Sequence, residues 1–308
     1  MGIKILKTSS YVPGEPIDNS YYVSYLDTSD EWIRQRTGIE TRYISKDEGT
    51  ETMSVKAAEK LELTDEEKAR IKVVLVATTT STSTVPINAC ILQGALGLSE
   101  DIYACDIGMA CAGFVAALRM ADALLKEGEL ALVVGVEVLS KMSDKTDRST
   151  VILFGDGAGA VLIEKNDKES YFEGGSRYSE VLASKLLPMT GDVEYLTMDG
   201  AAVFRFALEV MNASMNNLLE RSGNSYDEID WYILHQANKR ILEGTARKFG
   251  VSPDRFPMNM NKYGNTSSAS IPLLLDELNR AGKLKRGQKM IMAGFGGGLT
   301  WQAVYLEW

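Results

Sequence analysis

One cysteine, one histidine and one asparagine of this chain are of the residue types that carry covalent acyl chemistry. Cys111 lies where a predicted buried strand gives way to a predicted helix. Unpaired amides and the positive dipole end of that helix favour the thiolate, which is the nucleophilic form. His235 is the only histidine, and Asn265 lies in a serine- and threonine-rich run. A thiol, an imidazole and a carboxamide on three loops indicate covalent acyl chemistry.

The segments around Cys111 are predicted to alternate between strand and helix. Short apolar runs rich in β-branched residues predict strands that are buried on both faces. Stretches with apolar residues at helical spacing, each followed by a glycine, predict helices. The predicted strands cover residues 71–77, 103–107 and 131–135, and the predicted helices cover residues 88–96 and 112–126. This alternation predicts a layered α/β domain with a mainly parallel sheet.

The second half of the sequence repeats this order of elements, which predicts an internal duplication. The strand 229–235 corresponds to 71–77, the run 265–270 to 108–113, the helix 271–280 to the helix after Cys111, and the strand 290–294 to 131–135. Cys111 and the Asn265 loop then occupy equivalent positions, and all three chemical residues meet where the halves join. A polar stretch after the strand 160–163 predicts the boundary. Residues 1–165 form the half with the cysteine, and residues 166–308 form the half with His235 and Asn265.

Composition excludes several classes of function. A formal net charge of −9 argues against general binding to nucleic acid, because phosphate contacts need a basic surface. Three cysteines without a Cys-x-x-Cys motif and a single histidine argue against a disulfide framework and against a metal site. The sequence shows no run of about 18 apolar residues and no apolar start of signal-peptide length. We therefore expect a soluble, cytoplasmic protein that does not associate with membranes.

Two glycine-rich stretches, residues 155–159 and 294–298, do not fit a phosphate-binding loop. Each is followed by an extended pattern, whereas a phosphate loop opens a helix whose N-terminus meets the anion. We expect these glycines to allow close approach of backbone segments instead.

Eight short motifs follow one another in a specific order along nearly the whole chain. They are Asp27–Ile33, Arg36–Ile39, Ala110–Phe114, Asp147–Arg148, Phe154–Ala160, His235–Asn238, Gly264–Ser267 and Phe295–Gly298. In this order they resemble the β-ketoacyl-acyl-carrier-protein synthase III family, the condensing enzymes that start fatty-acid synthesis. The resemblance implies an α/β thiolase fold, with two pseudo-duplicated halves in a five-layer α-β-α-β-α arrangement.

The resemblance also implies a reaction, a decarboxylative Claisen condensation. Cys111 matches the cysteine that an acyl-CoA starter acylates. His235 and Asn265 match the pair that assists decarboxylation of malonyl-acyl-carrier protein by donating hydrogen bonds to the enolate. The backbone N–H groups of Cys111 and Gly297 match the oxyanion hole. The family works as a homodimer and needs no cofactor, since acyl-CoA is a substrate.

Further residues match the positions at which the family binds its two anionic donors. Trp32 and Arg148 resemble the pair that sandwiches the adenine of CoA, which suits an indole face and a stacking guanidinium. Thr28, Arg36 and Arg240 match positions around the nucleotide and the pantetheine. A basic rim is implied to receive the acidic acyl carrier protein. The residues of that rim are Arg205, Arg240, Arg247 and Lys248.

Three features depart from the family pattern. Met109 replaces a smaller residue before the nucleophile. Val85 lies where several members carry an aromatic residue that lines the acyl pocket, often across a dimer, so a roomier pocket and a longer or branched starter are expected. The stretch between Ser170 and Leu196 is compact, which predicts a reshaped loop near the entrance.

Two other functions stay open at this point. One is a related condensing or acyl-transfer enzyme of a secondary-metabolite pathway. The other, from a different class, is a non-catalytic protein that binds acyl carrier protein or senses acyl-CoA. Separate structural roles are also open: Cys111 as a small buried apolar residue, Trp32 as a packing residue and Asn265 as a turn residue.

Overall fold

A computed structural model describes residues 2–187 and 192–308 of the chain. The strands are β1 (Gly2–Tyr11), β2 (Ile17–Asp18), β3 (Thr41–Arg42), β4 (Ile71–Ala77), β5 (Tyr103–Ile107), β6 (Leu130–Glu137), β7 (Gly157–Asn166), β8 (Tyr171–Ser179), β9 (Leu182–Leu187), β10 (Asp192–Met198), β11 (Trp231–Leu234), β12 (Lys289–Gly296) and β13 (Gly298–Glu307). The helices are α1 (Ser20–Val23), α2 (Asp30–Thr37), α3 (Thr50–Glu59), α4 (Asp65–Arg70), α5 (Asn88–Ala95), α6 (Gly113–Leu124), α7 (Gly200–Ser222), α8 (Lys239–Phe249), α9 (Met260–Tyr263) and α10 (Ser270–Arg280).

Two larger sheets repeat one pairing pattern. The first has the strand order β1-β7-β6-β4-β5, and the second has the order β11-β12-β13-β8. Strand β4 pairs parallel with β6, and β11 pairs parallel with β12. Strand β7 then pairs antiparallel with β6 and β1 with β7, just as β13 pairs antiparallel with β12 and β8 with β13. The predicted duplication is therefore confirmed in the connectivity of the strands.

The prediction of a mainly parallel sheet is wrong, because both sheets are mixed. In the first sheet β4 runs parallel to β5 and β6, whereas β7 and β1 join antiparallel. Parallel neighbours need a crossover connection, usually a helix. Between β6 and β7 the described chain contains only the short 3₁₀ turn Leu139–Lys141, so β7 returns beside β6 in the opposite direction.

Five layers follow from the way the helices cover the sheets. Helices α6 and α10 lie between the two sheets, where α6 contacts β4 and β12 and α10 contacts β1 and β11. Helices α3 and α5 cover the outer face of the first sheet, and α7, with α8 packed on it, covers the outer face of the second. The order of layers is α-β-α-β-α, as predicted.

Side chains of each central strand alternate between two hydrophobic cores. On β4, Val73 and Leu75 point into the core between the sheets, and Val74 and Val76 point into the core under α3 and α5. Since both faces are covered, the strand carries apolar residues on both of them, without interruption from Val73 to Ala77. This explains why the continuous apolar run predicts β4 with its observed bounds, Ile71–Ala77.

The compact stretch after Ser170 is not simply a loop. It forms β8 at the edge of the second sheet and then the antiparallel strands β9 and β10; residues 188–191 lie outside the described part of the chain. Within residues 2–187 and 192–308, no helix combines the length and the apolar character that crossing a bilayer requires.

Candidate active site

Cys111 lies on a tight turn that joins β5 to α6. The turn is the 3₁₀ segment Ala110–Ala112, and α6 starts directly after it at Gly113. Ala110 has φ 43°, in the left-handed region that residues with a side chain rarely adopt. This bend places the cysteine at the amino end of α6, as predicted.

A second turn of the same shape carries Asn265. The 3₁₀ segment Ser267–Ala269 leads directly into α10, and Ser267 has φ 47°. The Asn265 side-chain oxygen accepts the backbone N–H of Ser267 at 2.9 Å, so the side-chain amide N–H groups remain for the cavity. Its backbone is held by Leu153, whose carbonyl accepts the Asn265 N–H at 2.8 Å. Asn265 is therefore fixed at both its backbone and its side chain.

Two glycines at equivalent strand positions let these turns approach the sheets. A Cβ on Gly294 of β12 would overlap the backbone carbonyl of Cys111, and a Cβ on Gly135 of β6 would overlap that of Ser268. The absence of a side chain is required at both positions because the obstacle is backbone. Gly296 lies against the nucleophile itself, since a Cβ there would lie 3.3 Å from the Cys111 Sγ.

His235 follows β11 and is 1% exposed. Its Nδ1 lies 2.7 Å from the Ser270 hydroxyl, and its ring packs edge-on against Phe295 with a centroid distance of 5.5 Å. Burial lowers the pKa of His235 to about 3, so the imidazole is neutral at ordinary pH. Because Nδ1 is engaged by Ser270, Nε2 is left to face the cavity. A neutral ring in this position can donate one hydrogen bond without adding a full charge.

Burial acts on Cys111 in the direction opposite to the sequence expectation. It raises the pKa of the thiol to about 12, while a hydrogen bond with the Ser267 side chain lowers the pKa and the Glu137 carboxyl raises it. The helix terminus favours the thiolate, but removal from water costs the charged form more. The raised pKa therefore disagrees with the expectation of a ready-made thiolate, because the neutral thiol is the favoured form at ordinary pH.

A single cavity of about 710 Å³ brings the predicted chemical residues together. Cys111, His235, Asn265 and Gly297 all line it. Part of its wall is apolar and comes from the 3₁₀ turn after β6, from the β9–β10 hairpin and from α7. The apolar wall includes Leu139, Met142, Leu182, Leu196, Met198 and Phe204. The thiol therefore opens onto a space that suits an acyl chain.

Trp32 and Arg36 of α2 also line the cavity. The Ser29 hydroxyl accepts the Trp32 backbone N–H at 3.1 Å and starts this helix. The Arg148 guanidinium stacks over the indole with its central carbon 4.8 Å from the ring centroid. Trp32 and Arg148 contact each other directly, so an adenine ring between them would require Arg148 to move, and their role toward CoA stays a prediction.

Comparisons with known proteins agree with this site. The family model of the C-terminal part of 3-oxoacyl-[acyl-carrier-protein (ACP)] synthase III matches residues 219–308, and a second model of that synthase matches residues 105–179. A curated relative from Clostridium acetobutylicum, named beta-ketoacyl-[acyl-carrier-protein] synthase III, is 42% identical over 99% of this chain and 98% of its own. The chain belongs to the 3-oxoacyl-[acyl-carrier-protein] synthase III family.

Solved structures agree with this assignment. The 3-oxoacyl-[acyl-carrier-protein] synthase III of Aquifex aeolicus has a TM-score of 0.91 and 37% identity, with 100% of both chains covered. The priming beta-ketosynthase of the R1128 polyketide biosynthetic pathway has a TM-score of 0.89 and 31% identity, covering 99% of this chain and 96% of its own. The fold of this family, the thiolase fold, is therefore the fold of this chain.

Of the basic residues predicted to bind CoA or the carrier, Arg36 lines the cavity, whereas Arg148, Arg205, Arg240, Arg247 and Lys248 are not among its lining residues. Arg240, Arg247 and Lys248 are exposed on α8, where the Asn238 side chain caps the helix by accepting the Arg240 N–H at 2.9 Å. Arg205 is exposed on α7. Thr28 is half-buried, and its hydroxyl has no hydrogen-bond partner in the described chain. Their roles toward the two donors stay predictions.

Val85 does not line the cavity of this single chain. Its side chain is 85% exposed at the surface. The expectation that it lines an acyl pocket therefore fails within one chain and depends on a second copy, which the family pattern allows. In one chain the pocket wall comes from the β9–β10 hairpin and α7 instead.

Several residues of the site received no role in the sequence analysis. Ser270 contacts His235, and the Ser267 hydroxyl contacts the buried carboxyl of Glu137 at 3.1 Å. A signal for Glu137 was available, because it is the only charged residue in the apolar strand Leu130–Glu137. Over the described ranges, no group of three or more His, Cys, Asp or Glu side chains is placed to hold a metal ion.

Proposed function

We propose that this chain is a β-ketoacyl-acyl-carrier-protein synthase III that condenses an acyl-CoA starter with malonyl-acyl-carrier protein and so initiates fatty-acid synthesis. The observation that carries this proposal is that Cys111, His235, Asn265 and Trp32 line one cavity. Family membership supplies the class of reaction. The geometry supplies a residue for each step.

In the first half-reaction Cys111 is the nucleophile. Its sulfur attacks the thioester carbonyl of acyl-CoA, a carbon–sulfur bond forms, and the bond to the CoA sulfur breaks; CoA leaves with the proton. The negative oxygen of the tetrahedral intermediate needs donors, for which we propose the backbone N–H groups of Cys111 and Gly297. One such donor typically lowers the barrier by about 3 kcal/mol.

In the second half-reaction His235 and Asn265 serve the malonyl thioester. As carbon dioxide leaves, the electron pair of the broken bond forms an enolate on the thioester oxygen. The neutral imidazole Nε2–H and the Asn265 amide donate hydrogen bonds to that oxygen. The enolate carbon attacks the acyl-Cys111 carbonyl, and the sulfur of Cys111 leaves. Ser270 and the Ser267 backbone, which hold His235 and Asn265, set the positions of both donors.

The two anionic donors share one entrance in this proposal. Trp32 and Arg148 hold the adenine, with Thr28, Arg36 and Arg240 around the rest of CoA. The rim residues Arg205, Arg240, Arg247 and Lys248 receive the carrier protein. A local basic rim on a chain of net charge −9 lets anionic partners bind without general affinity for polyanions.

We also propose a cytoplasmic homodimer that needs no cofactor, with Val85 reaching the acyl pocket of a second copy. The Val85 side chain is 85% exposed, so within one chain it is free to contact a second copy. The halves are proposed to divide between residues 165 and 166. In support, the first sheet ends with β7 at Asn166 and the second begins with β8 at Tyr171.

A condensing enzyme of a secondary-metabolite pathway is the second candidate. It is favoured by the 31% identity to a priming beta-ketosynthase of a polyketide pathway. Transfer of an acyl group to oxygen or nitrogen is less well supported, because it has no decarboxylation for His235 and Asn265 to assist.

The test uses the whole protein and mass spectrometry. Incubation with acyl-CoA should add one acyl group to the peptide that contains Cys111, and addition of malonyl-acyl-carrier protein should remove it and yield a β-ketoacyl carrier. A panel of acyl-CoA starters with straight and branched chains identifies the acyl group that the enzyme accepts. Use of acetyl-CoA alone would refute the roomier pocket inferred from Val85. Absence of any adduct on Cys111 would overturn the proposal, and carrier binding without turnover would indicate a non-catalytic binding protein.

A further inference from the structure

A fully buried arginine lies close behind the cavity wall. Arg42 ends the short strand β3 and is 0% exposed, but it does not line the cavity. Over residues 2–187 and 192–308, no aspartate or glutamate forms an ion pair with it. Arginine stays charged in proteins, and a buried charge without a counter-charge is unfavourable unless hydrogen bonds compensate. The contacts of this guanidinium therefore indicate what it holds in place.

The guanidinium joins two segments that are far apart in the sequence. Nη1 donates to the side-chain oxygen of Asn19 at 2.6 Å, and Nη2 donates to the Ile152 carbonyl at 2.5 Å. The central carbon lies 4.7 Å from the ring centroid of buried Tyr22, which adds a cation–π contact. The planar fork of an arginine suits two acceptors at fixed positions, whereas a lysine ammonium is a single point charge.

The Asn19 side chain extends this contact to α2. Asn19 is itself 0% exposed, and its Nδ2 donates to the Asp30 carboxylate at 2.8 Å and to the Ile39 carbonyl at 3.0 Å. Asp30 is the first residue of α2, and Ile39 comes two residues after the helix ends. One amide that is bound to Arg42 therefore holds both ends of the helix that carries Trp32.

The Ile152 carbonyl belongs to a second segment at the cavity, residues 147–154. This segment contains Arg148, whose guanidinium stacks over the Trp32 indole. The residues of the segment that line the cavity are Ser149, Ile152, Leu153 and Phe154. Arg42 thus bonds directly to the segment that carries one member of the Trp32–Arg148 pair, and through Asn19 to the helix that carries the other.

Apolar packing fixes these two elements only weakly. Helix α1, helix α2 and the segment 147–154 share a small apolar cluster, whose buried members are Tyr22, Ile33, Val151 and Ile152. The apolar clusters that cover the two larger sheets are several times larger. Since few apolar contacts set the position of α2 relative to the segment, the hydrogen bonds of Arg42 and Asn19 carry much of that task.

We propose that Arg42 is a positioning residue for acyl-CoA, which fixes α2 against the segment 147–154 and thereby sets the affinity for the nucleotide end of the donor. This rests on the proposed function, in which Trp32 and Arg148 bind the adenine. The Arg148 side chain has to move to admit an adenine ring. Arg42 keeps the backbones of both elements in place while it does so, and touches no substrate itself.

The test compares two donors of the same acyl group in the whole protein. One is acyl-CoA, and the other is the acyl thioester of N-acetylcysteamine, which has the thiol end of pantetheine but no nucleotide. Mass spectrometry follows acylation of Cys111 and gives kcat/KM for each donor. Arg42→Met keeps an unbranched apolar side chain and removes both hydrogen bonds. We expect it to lower the ratio of kcat/KM for acyl-CoA to that for the short thioester by about tenfold, mainly through KM.

This ratio separates positioning from a general loss of structure, which would lower both values together. Arg286→Met is the matched control, because Arg286 also donates to two backbone carbonyls, those of Ile5 and Leu6, and stacks on an aromatic ring, that of Trp308. Arg286 does not line the cavity, so its variant should leave the ratio unchanged. Arg42→Lys keeps the charge without the fork and should give a ratio between those of the wild type and Arg42→Met.

An unchanged ratio in folded Arg42→Met would overturn the inference, and so would an equal fall in Arg286→Met. If Arg42→Met does not fold by circular dichroism, Asp30→Ala decides, because the Asp30 side chain is half exposed and its loss cuts the link between Asn19 and α2. That variant should lower the ratio about threefold, and an unchanged ratio would refute the role of the link. Failure of the proposed function is a separate result, since wild-type Cys111 would then form no adduct with acyl-CoA.

Discussion

The turn of Cys111 and the turn of Asn265 follow one backbone path with different side chains. Each has a left-handed residue, at φ 43° and 47°, each forms a short 3₁₀ segment, and each leads into a helix of the central layer. The matched positions are Gly108 and Asn265, Ala110 and Ser267, Cys111 and Ser268, and Gly113 and Ser270. One turn is apolar apart from its thiol, and the other is polar at each of these four positions.

This difference indicates a division of labour between two copies of one geometry. The apolar turn offers the thiol no hydrogen-bonding side chain of its own. The polar turn carries such side chains: Ser270 contacts His235, and the Ser267 side chain lowers the pKa of Cys111. Duplication thus provides the positions, and the side chains of the second copy provide the electrostatics for both half-reactions.

The largest effect should come from removing the thiol from the apolar turn. We expect Cys111→Ala to abolish the acyl adduct, because no other group on either turn can replace the nucleophile. Ser268→Ala, at the matched position of the polar turn, should still form the adduct, since its hydroxyl serves the Ala77 carbonyl. Intact mass spectrometry after acyl-CoA treatment measures both, with Cys90→Ala as control. An adduct of full yield in Cys111→Ala would refute the division of labour.

The next effect concerns the donors held by the polar turn. We expect His235→Ala and Asn265→Ala each to form the acyl-enzyme yet to lose about 100- to 1000-fold in decarboxylation, as for removal of one oxyanion donor. Release of carbon dioxide from malonyl-acyl-carrier protein measures the second half-reaction apart from the first. Equal losses in both half-reactions would show that the two turns do not divide the chemistry.

A smaller effect should follow from filling the space behind each turn. Gly294→Ala presses on the Cys111 carbonyl and Gly135→Ala on that of Ser268, so each should lower the free energy of unfolding by about 1–3 kcal/mol. Gly294→Ala should mainly slow acylation, whereas Gly135→Ala should mainly slow decarboxylation. Urea denaturation and the two half-reaction assays measure these changes. The reverse pattern would contradict the assignment of one turn to each half-reaction.

The smallest effect concerns pH and the imidazole held by Ser270. The folded-state pKa of about 3 lies below the ordinary value of 6.5, so the unfolded chain takes up the proton first as pH falls. This contribution to stability is complete above the unfolded value and is lost as pH falls toward the folded one. Between pH 7 and 5 the wild type should lose about 2 kcal/mol more than His235→Gln. Parallel stability curves for the two proteins would show that His235 is not held neutral by burial.

The sequence predicts the strands and the order of the site well because both depend on local pattern. Strand β4 and the helix after Cys111 follow from apolar spacing, and the matched runs 108–113 and 265–270 fall on the two turns. The direction of β7 is not in the pattern, because a buried apolar strand has the same composition in either orientation. The raised pKa of Cys111 was also missed, since burial of a thiol depends on the surrounding layers and not on its own turn.

Strand β4 sends Val73 and Leu75 to one core and Val74 and Val76 to another. In a sheet with one solvent-exposed face, a shift of the strand pairing by one residue would expose the apolar side chains to water, so hydrophobicity fixes the register. Here a slip would exchange one apolar set for the other and bury the same kind of surface. It would nevertheless move Thr79 and Thr80, which follow the strand, away from Glu137. The register of β4 is therefore fixed by the polar residues that follow the strand. A protein with β4 shifted by one residue would keep its apolar packing but lose the contacts of Thr79 and Thr80 with Glu137.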